Sequence, residues 1–300
     1  MKHYLITGGT GLIGSALCRS LIAQGDQVTV LSRSIEKVKV RCGDNVTPIR
    51  SLYTINNQTK IDVIVNLAGE PIADKRWSVE QKAVLEQSRI EVTHSLIQWI
   101  SQRPSKPDCL ISGSAVGWYG DQGNNDVTEQ TTFNQEYTHD LCEQWEQQAM
   151  RAAQLNVRVC LLRTGLVLSS KGGFLEKMLP PFKLGLGGKL GTGQQFMPWI
   201  HINDMVNIIV FLANNDQLKG IFNACSPNPV NNEVFTQALA RQLNRPAFFS
   251  VPSFVLNTLL GEMSRLLLTG QRAKPENLTA NGFEFIYTDI NEALADVIHP

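Results

Sequence analysis

Apolar residues fall into short continuous runs through the first half of the chain, separated by stretches in which they recur at helical spacing. The runs predict strands at 3–7, 27–31, 62–67, 109–112 and 157–162, with a weakly marked strand at 47–50 ahead of a polar stretch that reaches Lys60. The helical spacing predicts helices at 12–24, 78–102 and 136–156. Strands that are apolar throughout, alternating with helices, imply a parallel sheet covered on both faces. After Leu168 the texture changes. The segment 183–195, KLGLGGKLGTGQQ, is rich in glycine and leads into PWIHIND rather than a long helix, so it reads as turns or a lid and not as a second phosphate loop. Asp204 opens another helical segment, residues 220–225 read as one further sheet strand, and mixed helices follow from Pro227, including an apolar one at 254–268.

Length extends this picture. With 300 residues the chain is long for one core, which predicts a larger domain over 1–168 and, over most of 169–300, a smaller lobe. The chain should return to the first domain at about 203–225. The fold class expected is α/β, a Rossmann-type doubly wound parallel sheet with a smaller C-terminal substrate lobe.

Charge and cysteine usage narrow the partners. Lysine plus arginine number 27, as do aspartate plus glutamate, so the formal net charge is zero. A balanced chain without a basic run has no general attraction to nucleic acid or anionic lipid. The cysteines, at 18, 42, 109, 142, 160 and 225, lack the spacing of zinc or redox pairs and fit a reducing compartment. No run approaches the ~18 apolar residues of a membrane span. The expectation is a cytoplasmic protein with a small-molecule substrate, no nucleic acid, no membrane and no metal. The 254–268 helix should pack on the lobe or on a partner subunit, which leaves room for a homodimer.

The strongest chemical signal is TGGTGLIG directly after the first strand. Gly8 permits a tight strand-to-helix turn, Gly11 lets backbone approach a pyrophosphate, and Gly14 allows close helix–strand packing. The helix that opens at Leu12 and Ile13 turns free amides and its positive dipole end toward phosphate, with Thr10 in the loop itself. At the end of the second strand, where an NAD site places a carboxylate for the ribose 2′-hydroxyl, the chain has Ser32 and Arg33. A guanidinium there pairs with a 2′-phosphate, which favours NADP.

TGGTGLIG, LSR and NLAG in series resemble the extended branch of the short-chain dehydrogenase/reductase superfamily. More narrowly, they are similar to its atypical "epimerase family" subgroup among the NAD(P)-dependent epimerases and dehydratases. RWSVEQK, SRIEVT, SAVGWYG, LCEQWE, LRTGLVL, PWIHINDM and NGFEFIYTDINEAL match as well, so the resemblance runs from residue 4 to residue 294. It implies that Leu67, Ala68 and Gly69 line the adenosine–ribose side of the cofactor, that Arg89 faces the same site, and that Val167 passes near the nicotinamide. Leu67 and Val167 read equally well as core, and Arg89 as a surface arginine.

The superfamily's chemistry uses a serine or threonine after the fifth strand and a Tyr-x-x-x-Lys whose lysine lowers the phenol's pKa. A phenol near its ordinary pKa of ~10 is otherwise a poor base. Ser114 falls at the serine position. Aligning EYTHDLCEQWE puts Tyr137 at the tyrosine and Leu141 at the lysine, and no lysine lies between residues 107 and 170. Trp118 and Tyr119 would line the nicotinamide pocket or simply fill the crevice. His201 would orient a turn, with Asn203 or Asp204 capping the next helix. Two functions follow: an NADP-dependent oxidoreductase or nucleotide-sugar-epimerase-like enzyme, using Ser114, Tyr137 or a water for proton transfer, or a catalytically silent NADP-binding sensor or regulator.

Overall fold

The structure, a computed structural model, describes residues 1–299. Seven strands form the central sheet: β1 (His3–Thr7), β2 (Gln27–Leu31), β3 (Thr47–Ile49), β4 (Val63–Asn66), β5 (Cys109–Ala115), β6 (Arg158–Thr164) and β7 (Gly220–Ala224). Every pairing is parallel, and the spatial order is β7-β6-β5-β4-β1-β2-β3. The expected doubly wound α/β sheet is therefore present. Strand order reverses between β1 and β4, so a crevice opens above their carboxyl ends, where ligands of such sheets bind.

The main helices are α1 (Leu12–Ala23), α2 (Ile35–Cys42), α3 (Val79–Gln102), α4 (Tyr137–Met150), α5 (Phe174–Lys183), α6 (Ile202–Asn214), α7 (Asn232–Leu243) and α8 (Ser253–Leu260). Side chains of successive strand residues point to opposite faces, so one run of apolar residues fills two cores. Tyr4, Ile6, Val63, Val65 and Ile111 meet Leu17 and Leu21 of α1 and Ile208 and Leu212 of α6. Leu5, Ile64, Leu110 and Leu161 meet Leu96 and Ile100 of α3 and Ala149 of α4. Each fully buried aliphatic side chain contributes roughly 1.5–3 kcal/mol. That double burial is why these strands carry no polar alternation.

The chain leaves the sheet at Gly165, where a Cβ would overlap the Pro198 carbonyl. Leu166–Leu168 then pairs in parallel with Trp199–His201, and the lobe builds its own core from Leu175, Phe182, Trp199, Phe235, Leu239 and Leu294. Among the described residues no helix is long and apolar enough to cross a membrane.

Several predicted elements change in detail. The helix expected at 136–156 ends at Met150 and tightens into a 3-10 turn over Arg151–Leu155, closed by Asn156 at φ 60°. The continuous helix expected at 254–268 is broken at Gly261, φ 60°, into α8, a 3-10 turn and one helical turn. Segment 183–195 is turns around a short strand, Gly188–Leu190, paired with Phe249–Val251. Helix α2 was not anticipated: only Val38 and Cys42 are buried, although Ser34 caps it by accepting from Lys37 N at 3.2 Å. Neither Asn203 nor Asp204 caps α6. His201 does so, accepting from Asn203 N through Nδ1, while the Asp204 carboxylate accepts the amides of Ile286 and Tyr287.

Candidate cofactor and substrate site

The loop between β1 and α1 folds back on the end of β4. Gly8 has φ 69°, in the left-handed region, and a Cβ there would overlap Leu67 O and lie 2.8 Å from Ala68 N. A Cβ on Gly14 would overlap Gly8 O and stand 2.7 Å from Gly9 Cα, so α1 is seated directly on the loop. Gly11 differs. Its φ is −75°, open to any residue, and its Cβ would meet only Gly8 O, at 3.2 Å. A side chain there needs only a small shift of Gly8 O, and its absence leaves the residue's exposed side open to a ligand.

Gly11 is also the N-cap of α1, and no side chain caps that helix. Helices α2, α3, α6 and α7 are each capped by a side chain. Helices α4, α5 and α8 are not, but α4 and α5 carry an acidic residue in the first turn and α8 lies in the lobe, away from the switch point. An uncapped N-terminus over the switch point, with no acidic residue in its first turn, suits a pyrophosphate. The donor set thus fits a dinucleotide. The Gly172–Gly173 loop covers Leu12, and Val167 O lies close to Gly173, so Val167 reaches the lobe side of this cradle. Thr10 and Ile13 are partly exposed around it.

Ser32 follows β2 and is locked in its turn, its Oγ donating to Ser34 O and accepting from Ser34 N. Arg33 is exposed and makes no hydrogen bond or ion pair with any described residue. A free guanidinium beside the cradle is the group expected for a 2′-phosphate.

The NLAG turn is held from below. Thr7 Oγ1 donates to Asn66 Oδ1 at 2.7 Å and accepts from Ala68 N, while Asn66 Nδ2 donates to Thr93 Oγ1 of α3 and to Ser112 Oγ. Arg89 donates to Leu85 O and Glu70 O, and a Cβ on Gly69 would lie 3.0 Å from its Cζ. Its guanidinium therefore braces the turn Leu67-Ala68-Gly69. It is neither a free surface arginine nor, in this arrangement, pointed at open space.

Farther along the crevice a cavity of about 610 Å³ lies between the carboxyl ends of β5 and β6 and the lobe. Tyr137 is on its wall; its ring packs edge-on against Trp77 at 5.0 Å, with Lys82 Nζ 4.3 Å from its centroid. The phenol makes only a long contact, 3.4 Å, to Lys82 O. Burial pushes its pKa up to about 12, with Glu86 adding to the rise. Leu141, buried, occupies the place expected for the lysine, and Lys82, over the ring, is paired with Glu262 rather than with the phenol oxygen.

Ser114 is not on the cavity wall. Its Oγ donates to Glu146 Oε1 at 2.5 Å, and Glu146 is clasped by Arg163, with Nε to Oε1 and Nη2 to Oε2 both at 2.9 Å. Arg163 is 1% exposed and lies 3.4 Å from the centre of the Trp118 ring. Trp118 and Tyr119 therefore sit on this buried pair, and Tyr119 donates to Asn223 Oδ1 at 2.8 Å. Neither lines the cavity. His201 also lies away from it, stacked 3.8 Å from Tyr287 with Nε2 3.1 Å from Asp296 Oδ2. The sequence reading missed Glu146 and Arg163, and missed the lobe's share of the wall, Gln195, Phe196, Arg265 and Leu266. Among the described residues no group of three or more histidine, cysteine or acidic side chains is placed to hold a metal.

The profile of the NAD dependent epimerase/dehydratase family matches residues 4–225, and that of a domain of unknown function (DUF1731) matches 251–297. The "Epimerase family protein SAR0825" of Staphylococcus aureus is 38% identical over 299 residues, and SH2119 of Staphylococcus haemolyticus 39% over 299, each covering 99% of both chains. Human epimerase family protein SDR39U1, solved with NADPH, superimposes with a TM-score of 0.89 at 31% identity, over 98% of each chain. A nucleoside-diphosphate sugar epimerase from Corynebacterium glutamicum gives a TM-score of 0.77 at 29% identity, over 99% of this chain and 58% of that one. The resemblance read from TGGTGLIG through NGFEFIYTDINEAL is borne out.

Proposed function

The chain belongs to the NAD dependent epimerase/dehydratase family, and from that premise we propose that it is an NADP-dependent oxidoreductase acting on a small carbonyl or hydroxyl compound. The observation that carries this reading is the uncapped N-terminus of α1 over a loop whose Gly11 leaves room for a ligand, with the unpaired Arg33 beside it. NADPH in the human relative agrees with that choice of nucleotide. Residues 1–168, with the return at 203–225, form the cofactor domain in this reading, and the rest is the substrate lobe.

Gly8, Thr10, Gly11, Leu12, Ile13 and Gly14 hold the pyrophosphate, and Ser32 and Arg33 the 2′-phosphate. Leu67, Ala68 and Gly69 carry the adenosine side, with Arg89 bracing them, and Val167 flanks the nicotinamide. When bound, the nucleotide supplies or accepts a hydride. Tyr137 holds its proton at every physiological pH, so it serves as a hydrogen-bond and proton donor to a substrate oxygen rather than as a base. That favours carbonyl reduction. Ser114, bonded to Glu146 and off the cavity wall, makes no direct contact with substrate in this reading.

A second reading, a silent NADP-binding sensor, draws on the same Tyr137, whose phenol is raised and not lowered. Calorimetric titration with NADPH and NADH, repeated on Arg33→Ala, tests the cofactor site. NADPH should bind more tightly than NADH, and the variant should weaken NADPH about tenfold or more while changing NADH little. Equal affinities in the unaltered protein would remove Arg33 from the argument. Loss of reductase turnover in Tyr137→Phe, with NADPH binding retained, separates the enzyme from the sensor.

A further inference from the structure

We infer that the cavity takes an uncharged, mainly apolar substrate with a carbonyl or hydroxyl oxygen, and that it rejects nucleotide diphosphates. The inference rests on reading this cavity as the substrate site. Its walls are largely Ile72, Trp77, Leu166, Phe196, Met197 and Leu266. A volume of about 610 Å³ is in the range of small-molecule sites, roughly 300–1,000 Å³. Part of it adjoins Gly165 and Leu166, beside the nicotinamide end, which reduces what remains for substrate.

Charge decides the matter. A diphosphate buried without cations would be strongly destabilised. Arg265 is the one cation on the wall, and it is ion-paired with Glu136, itself on the wall. Lys82, behind Tyr137, is held 2.7 Å from Glu262, also on the wall. An incoming anion would have to displace two carboxylates that would then face it. Arg76 is a nearby cation without a carboxylate partner among the described residues, but it is exposed and lies off the wall.

The neutral donors are engaged as well. Gln195 Nε2 donates to Leu190 O and Leu267 O, Gln271 Nε2 to Gly120 O, and Asn232 Nδ2 contacts Met197 Sδ. The Tyr137 hydroxyl, with only its 3.4 Å contact, and the Thr138 hydroxyl, without a hydrogen bond to any described residue, are the polar groups left for a ligand. Two hydroxyls among largely apolar walls, with no unpaired cation, match a small neutral substrate with a carbonyl or hydroxyl oxygen to be recognised.

The test compares para-tolualdehyde, cyclohexanone, para-carboxybenzaldehyde and UDP-glucose by calorimetry, with and without saturating NADPH. NADPH binding is measured first, so failure of the cofactor reading shows there, independently of the probes. At least one neutral probe should bind at or below ~1 mM, and both anions at least about tenfold more weakly. Glu136→Gln, which releases Arg265, should tighten para-carboxybenzaldehyde about tenfold and shift the neutral aldehyde less than about twofold. Glu262→Gln, on a more exposed carboxylate, should do the same through Lys82 if the first variant fails to fold. Tighter binding of UDP-glucose than of the neutral probes would overturn the inference, as would no binding by any neutral probe. So would folded variants that leave the preference between charged and neutral aldehydes unchanged.

Discussion

Gly11 and Gly14 lie three residues apart in one loop, yet substituting alanine should separate binding from folding. At Gly14 the added methyl would overlap Gly8 O and sit 2.7 Å from Gly9 Cα. These are backbone atoms that cannot rotate away. Overpacking costs ~1–3 kcal/mol, the upper part of that range applying where backbone is struck, and the gain from replacing a helical glycine is about 1 kcal/mol. Gly14→Ala should therefore lose about 1–2 kcal/mol net in urea unfolding without ligand. At Gly11 the methyl needs Gly8 O to yield only a few tenths of an ångström, and the residue's φ of −75° suits alanine. Its stability should stay within about 1 kcal/mol, the usual scale of an N-cap change. On the proposed reading the methyl would instead stand where the pyrophosphate approaches the backbone. With NADPH at about 100 times the Kd, the unaltered protein should gain ~2.7 kcal/mol on binding. A tenfold weaker Gly11→Ala should gain only ~1.4 kcal/mol at the same concentration. Urea melts of both variants, with and without NADPH, read all four quantities. If Gly11→Ala keeps the full gain, the loop is not the phosphate cradle; if Gly14→Ala is as stable as the parent, α1 is not seated as tightly as described.

Two further outcomes follow from buried groups. Glu146→Ala would strand the Arg163 guanidinium, 1% exposed, without its carboxylate, and breaking such a buried pair costs ~3–5 kcal/mol. A loss below ~1 kcal/mol in denaturant unfolding would mean that water replaces the carboxylate. Tyr4 and Tyr119, 1% and 0% exposed, are both pushed up to about 12 by burial, against ~10 in the unfolded chain. Their stabilising contribution is full below pH ~10 and is lost as pH rises through about 12, on the order of 2–3 kcal/mol each. Tyr119→Phe should flatten this alkaline decline in part, Tyr4 and Tyr137 sharing what remains, and an unchanged decline would place its origin elsewhere.

The cofactor end of the crevice was legible because it is local. Strand, glycine loop and helix occupy residues 3–23, and a turn that needs Gly8 at φ 69° leaves its mark in the sequence. Helix α2 escaped because two inward residues in eight give almost no periodicity, though Ser34 was a visible cap. The break at Gly261 was missed because apolar residues on both sides of it imitate one continuous helix.

The substrate end is another kind of object. Tyr137 meets Lys82 from a helix 55 residues earlier, Ser114 meets Glu146 across 32, and Arg265 meets Glu136 across 129. No spacing motif can encode contacts between such distant segments, so a motif search finds Ser114 and Tyr137 and expects them to act together. The fold instead turns the serine into a buried ion pair and leaves the tyrosine facing the cavity alone. A phosphate cradle depends on backbone shape, which one βα unit fixes for a whole superfamily. On the proposed reading, substrate choice depends on which carboxylate reaches which cation across the cleft, and this the lobe is free to alter without disturbing the cradle.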